Sequence, residues 1–98
     1  MTGAGPEVSV IIVNYNGERF LKTCLDSLRA QSFTDFEVYL VDNHSSDRSI
    51  EIVEKLYPEV ALIRESTNLG FAHGTNEGIR ASRGQFILTL NNDTRLDP

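Results

Sequence analysis

The 98-residue chain carries one cysteine, no tryptophan, three prolines and only two histidines. A lone Cys24 forms no internal disulfide, which excludes a cross-linked secreted scaffold and makes a cytoplasmic location the default. Without cysteine pairs, and with His44 and His73 far apart in sequence, no zinc-ligand spacing exists. Basic residues are also few. Lys plus Arg number 9 against 14 Asp plus Glu, a net charge of −5. Such a chain lacks the basic face that nucleic-acid phosphates require, so no nucleic-acid partner is expected. No apolar run approaches the roughly 18 residues of a membrane-spanning helix. Residues 1–6 lack a basic stretch followed by an apolar one, so they read as a flexible tail and not as a signal peptide. The common nucleotide and hydrolase signatures are missing too. No G-x-G-x-x-G follows the first strand, no G-x-x-x-x-G-K-[ST] occurs, and there is no G-x-S-x-G elbow. What remains is 40% hydrophobic and 23% charged, the composition of one globular domain or a piece of one.

Apolar periodicity orders the chain. Val8 to Asn14 is nearly continuous and β-branched, as in a strand buried on both faces at the centre of a sheet. From Glu18 to Gln31, Phe20, Leu21, Cys24, Leu25 and Leu28 recur at helical spacing opposite Lys22, Asp26 and Arg29. Glu37 to Val41 is a second strand. Asp47 to Leu56 is a second helix, with Ser45 and Ser46 as cap candidates and Pro58 as its stop. Val60 to Arg64 is a third strand, Phe71 to Ser82 a third helix, and Phe86 to Leu90 a fourth strand. The order β-α-β-α-β-α-β predicts an α/β, Rossmann-like parallel sheet with right-handed crossovers.

In such sheets ligands bind beyond the carboxyl ends of the strands. All four following segments are polar: Asn14-Tyr15-Asn16-Gly17, Asp42-Asn43-His44-Ser45-Ser46, Ser66-Thr67-Asn68-Leu69-Gly70 and Asn91-Asn92-Asp93-Thr94. Turn chemistry accounts for any one of them; four at one edge point to a site. Asp93 is placed either to hold a hard divalent cation, which in turn neutralises a diphosphate, or to cap the next turn. Asp42 either accepts hydrogen bonds from a base or ribose or caps the helix beginning near Asp47. Tyr15 either stacks on a nucleobase or covers the end of the core. Gly70, Gly74 and Gly78 form one strip of the third helix, where a missing side chain permits close approach of sheet or ligand. Asn76 lies between two of them, within reach of the same edge. His44 is expected in a solvent-facing turn.

Val8-Ser9-Val10-Ile11-Ile12-Val13-Asn14-Tyr15-Asn16, Val41-Asp42-Asn43-His44-Ser45-Ser46-Asp47, Asn68-Leu69-Gly70-Phe71-Ala72 and Leu90-Asn91-Asn92-Asp93-Thr94 together resemble the nucleotide-sugar-binding half of family 2 glycosyltransferases. The resemblance runs from Glu7 to Pro98, and the last two motifs look most like the bacterial rhamnosyltransferase-like branch. It implies a truncated A-type glycosyltransferase fold and a metal-dependent enzyme that transfers sugar from a nucleoside diphosphate with inversion. Val13 and Tyr15 match positions that contact the base, and Asp42 matches the acidic residue on the base or ribose. Asn68 joins the donor-nucleotide set. Asn91-Asn92-Asp93 matches the D-x-D-type stretch, with Asp93 assigned to Mg²⁺ or Mn²⁺ and Asn91 and Asn92 to ribose or phosphate.

The implied donor is a UDP- or dTDP-linked sugar, and the implied acceptor for the full enzyme is a saccharide or a lipid-linked acceptor. No residue is nominated as catalytic base, because in the family it follows this segment. Residues 7–98 are therefore expected to be a donor-binding module without the acceptor half, inactive alone, with the full-length protein in the cytoplasm or peripheral to the inner face of the membrane. Two other readings stand beside this one. A nucleotidyltransferase also uses a metal-binding Asp on an α/β sheet, but its first loop is Gly-rich and basic, unlike Asn14-Tyr15-Asn16-Gly17-Glu18-Arg19. A non-catalytic interaction module would pair, or form a homo-oligomer, through an exposed edge at the fourth strand.

Overall fold

The computed structural model describes residues 5–97; residues 1–4 of the expected tail lie outside the described residues. The elements are β1 (Val8–Asn14), α1 (Glu18–Arg29), β2 (Phe36–Asp42), α2 (Ser49–Leu56), β3 (Ala61–Arg64), α3 (Phe71–Ala81) and β4 (Phe86–Asn91). All strand pairs are parallel, in the order β3-β2-β1-β4. The apolar run of β1 is thus central, as expected, and β4 is an edge.

Alternation sorts the side chains into two layers. Val10, Ile12, Val38 and Leu40 pack with Leu21, Leu25 and Leu28 of α1 and Val53 of α2 in the main core. Ile11, Val13 and Val41 face α3, where Gly74 and Gly78 sit against them. Only glycine allows this approach: a Cβ at Gly78 would collide with Ile11 Cγ2, and one at Gly74 would lie 2.9 Å from Val13 Cγ1. Gly70 departs from the expected strip. A Cβ added there would meet nothing within 4 Å, and its φ of 93° with ψ of 170° at the start of α3 is a conformation residues with a Cβ avoid, so its glycine serves the backbone and not close packing.

Other boundaries shift for local reasons. Helix α2 starts at Ser49, and neither Ser45 nor Ser46 caps it. The N-cap position is Arg48, which makes no side-chain cap bond; Asp47 just before it accepts from Ser49 N at its Oδ1 (2.9 Å) and from Glu18 N, the first residue of α1, at its Oδ2 (3.1 Å). One carboxylate thus serves two helix starts. Burial pushes the Asp47 carboxyl up, but the bonds from Ser49 and Glu18 outweigh it and hold the group below the ordinary carboxylate range. Phe20 leaves the buried stripe of α1 for its margin, 36% exposed, with the Arg19 guanidinium 4.7 Å from its ring centre.

Tyr57, buried at the end of α2, donates its hydroxyl to Asp26 Oδ1 at 2.6 Å and lies under the Arg29 guanidinium. Burial and the Asp26 carboxylate push the Tyr57 phenol up, while the bonds from Tyr57 and Lys22 pull Asp26 down. The contribution from Tyr57 is fully present below the unfolded value of about 10 and is lost as pH rises through the higher folded value. That from Asp26 is present above about pH 4 and is lost as pH falls through its lower folded value. Tyr57→Phe keeps the ring and loses the bond. It is expected to cost about 1 kcal/mol at neutral pH, because Asp26 is half exposed. Urea denaturation at about pH 3, 7 and 11 should show the difference from the parent chain narrowing at both extremes.

Candidate functional site

Successive strands β1, β2 and β3 run to one side of the sheet, and β4 then returns to the other side of β1. The order therefore reverses between β1 and β4, and the crevice outside their carboxyl ends is the topological switch point where such sheets bind ligands. Register sets its floor. Asn14 is paired with Asp42, and Val13 with Asn91, so that Asn14, Asp42 and Asn92 fall in one row on the α1/α2 face.

These three side chains are joined. Asn14 is fully buried; its Nδ2 donates to Asp42 Oδ1 at 3.0 Å and to Ser45 Oγ at 3.3 Å, and its Oδ1 accepts from Asn92 Nδ2 at 2.8 Å. Asp42, also fully buried, accepts from Ser45 Oγ at 2.7 Å and from Ser45 N at 2.8 Å. Asn16 Oδ1 accepts from Ser46 N at 2.7 Å and Asp47 N at 3.2 Å, and Asn16 N donates to Ser45 Oγ at 2.8 Å. The first two loops are thereby stitched together. Asn16 and His44 take left-handed backbone conformations, with φ of 51° and 69°, and His44 is solvent-exposed as expected.

The other candidate residues surround this row. Val13 is half-buried against Gly74. Tyr15 is 51% exposed, so it does not cover the core. Asp42 is committed to its own loop, the turn to Ser45, and does not reach the start of α2. Asn68 acts locally, its Oδ1 accepting from Gly70 N at 2.9 Å. The third loop is tied to the second by Asn43, whose Nδ2 donates to Gly70 O at 3.0 Å. Asn76 points outward from α3, exposed. Asn91 is exposed, and its carbonyl lies 4.0 Å from Cys24 Sγ. Burial pushes the Cys24 thiol up to about 11, and the nearby charge of Asp93 adds to this.

Sequence reasoning does not single out Asn14, Gly17, Asn43 or Ser45 as site residues. The available signal is Asn14 itself, an amide closing a buried apolar strand, where turn chemistry alone explains its presence less well than in a loop.

Asp93 presents an exposed carboxylate. Among the described residues no three His, Cys, Asp or Glu side chains converge as a metal cage. One carboxylate suits a hard cation of the Mg²⁺ type, which takes its remaining ligands from phosphate oxygens and water. The apolar cavity of about 190 Å³ lined by Leu25, Leu28, Phe36 and Val60 opens at the amino ends of the strands, away from this row.

The family model described as Glycosyl transferase family 2 matches residues 9–98, and the chain belongs to that family. It is 32% identical over 96 residues to chondroitin synthase of Pasteurella multocida (strain Pm70), covering 95% of this chain and 10% of the relative. Among solved structures, S. aureus TarS 1–349 in complex with UDP is similar with a TM-score of 0.83 and 33% identity, over 89% of this chain and 27% of that one. Mannosyltransferase PcManGT from Pyrobaculum calidifontis, in complex with GDP-Man and Mn²⁺, gives 0.88 and 25% identity over 98% and 30%. The chain spans less than a third of the length of these proteins. Its fold is the front part of the A-type glycosyltransferase fold, a Rossmann-like α/β sheet. Among the described residues no helix is long and apolar enough to cross a membrane.

Proposed function

We propose that this chain is the donor-binding part of an inverting, metal-assisted glycosyltransferase, taking a nucleoside-diphosphate sugar at the crevice between β1 and β4. The observation that carries the reading is the convergence of three polar loops on the switch point, in a fold whose neighbours were solved with UDP and with GDP-Man and Mn²⁺. Tyr15 offers its exposed ring to the base, beside Val13. Asp42 serves the base or ribose side by holding the Ser45 turn in place, its own carboxylate being fully buried and taken up by Asn14 and Ser45. Asn68 completes the nucleotide side, and Asn91 and Asn92 serve ribose or phosphate. Asp93 holds a Mg²⁺ or Mn²⁺ ion, whose charge offsets that growing on the leaving diphosphate. Deprotonating a saccharide or lipid-linked acceptor hydroxyl is left to a carboxylate base outside residues 7–98, so this chain alone binds donor without transferring sugar. The full-length enzyme works in the cytoplasm or at the inner face of the membrane.

Thermal unfolding with UDP, dTDP or GDP, each with and without Mn²⁺, tests the reading. Ligand at about 100 times its dissociation constant is expected to add roughly 2.7 kcal/mol. The stabilisation should need nucleotide and metal together, and should vanish in Asp93→Ala. A second reading, an interaction module or homo-oligomer, draws on β4, where Phe86, Ile87 and Leu88 are 60%, 41% and 43% exposed on an edge strand. It predicts a solution mass above a monomer's and no response to any nucleotide.

A further inference from the structure

The carboxyl ends of β1, β2 and β4 meet on one side chain to which the donor reading gives no role. The buried Asn14 amide turns its donor end to Asp42 and Ser45 and its acceptor end to Asn92. This orientation is fixed by its partners. A flipped amide would set Nδ2 against Asn92 Nδ2 and Oδ1 against Asp42 Oδ1, replacing attraction by repulsion on both sides.

Gly17 supplies a second observation. Its φ of −102° and ψ of 26° are open to ordinary residues, so its backbone conformation does not require glycine. A Cβ there would nevertheless collide with both Asn92 Nδ2 and Asn14 Oδ1, the two atoms of one hydrogen bond. The absence of a side chain at position 17 keeps the seam between β1 and β4 clear for that bond.

We infer that Asn14 is a positioning residue that couples the Asn91–Asp93 turn to the Asp42–Ser45 loop, with Gly17 holding open the space their link needs. What the two loops bind rests on the donor-site reading; the coupling itself is a property of the chain without ligand. A nucleoside diphosphate has its base at one end and its phosphates at the other. A rigid link between the loops that receive them fixes their spacing before ligand arrives, so that a cation at Asp93 tightens nucleotide binding. Strands β2 and β4 are not neighbours in the sheet, and Asn14 bridges them by side chain across β1.

Backbone amide NMR shifts of the full chain test the link without ligand. In Asn92→Ala and in Gly17→Ala, the amides of residues 42–46 are expected to move. In an Asn14→Ser background, Asn92→Ala should cause no further movement there. Amides 42–46 that stay in place in Asn92→Ala would overturn the coupling. Where Asn14→Ser does not fold, Asn92→Ala carries the test, because the Asn92 side chain bonds Asn14 and no residue of 42–46, whereas the neighbours of Gly17 bond that loop directly. The second readout is UDP affinity with and without Mn²⁺. The factor by which Mn²⁺ tightens UDP should fall about tenfold in Gly17→Ala, and an unchanged factor would also overturn the inference. A parent chain that binds no UDP would refute the donor reading, while the amide shifts still decide the coupling.

Discussion

Asp42→Ala is expected to destabilise the chain by about 3–5 kcal/mol, because it strips the acceptor from three donors at a fully buried position. Asn14 Nδ2, Ser45 N and Ser45 Oγ all point at this carboxylate. Each donor left unpaired costs about 1–3 kcal/mol. Ser45 is half-exposed, so water reaches part of the gap and holds the sum below its upper bound. Removing a desolvated charge works in the opposite direction, but the charge here is hydrogen-bonded from three sides, and losing a satisfied buried group outweighs the relief. A domain of this size has only about 5–15 kcal/mol in total, so the variant should unfold at a much lower urea concentration. Asp42→Asn keeps the volume and one oxygen, and is expected to lose less, about 1–2 kcal/mol. Equal urea midpoints for Asp42→Ala and the parent would contradict the network as described.

Gly78→Val is expected to cost about 3 kcal/mol. Even an alanine Cβ would overlap Ile11 Cγ2 and lie 3.3 Å from Ile11 Cδ1 and 3.4 Å from Val41 Cγ2. Ile11 is 1% exposed in the central strand and has nowhere to retreat. Replacing a mid-helix glycine gains up to about 1 kcal/mol of helix propensity, most for alanine and less for valine. The overpacking term exceeds it. Gly70→Ala makes a useful contrast, since a Cβ at that position would meet nothing within 4 Å while φ is 93° and ψ 170°: backbone strain alone sets its cost, about 1–3 kcal/mol. Combining Gly78→Ala with Ile11→Ala should destabilise less than the sum of the two single changes, because the second makes room for the first. Additive thermal unfolding free energies for that pair would show that the contact is not limiting.

The sheet is legible because β1 is a nearly continuous apolar run, interrupted by Ser9 alone before Asn14, and the elements alternate; four strands and three helices follow from that pattern. Their ends were less so. Ser45 and Ser46 have the chemistry of a cap, yet Asp42 and Asn16 draw them into the loops and Asp47 takes the helix starts. Phe20 belongs to the α1 stripe by spacing, but lies at its margin, where Arg19 covers the ring. At the site, the four polar segments were visible in sequence as a group. What stayed hidden was which member connects them. Asn14 reads as a turn residue until strand register sets it beside Asp42 and next to Asn92, a relation between strands far apart in the chain. Gly17 is similarly opaque, since its role is the space above another pair's hydrogen bond.

Paramagnetic broadening of amide signals by Mn²⁺, measured with and without UDP, tests the donor site most directly. Mn²⁺ with UDP is expected to broaden residues 91–94 and 14–17 first, and Asp93→Ala to remove the effect. On the α3 side His73 Nε2 lies 4.0 Å from Glu65 and 3.9 Å from Glu77, a grouping that does not converge as a metal cage. Broadening centred there and indifferent to UDP would contradict a metal-assisted donor site between β1 and β4.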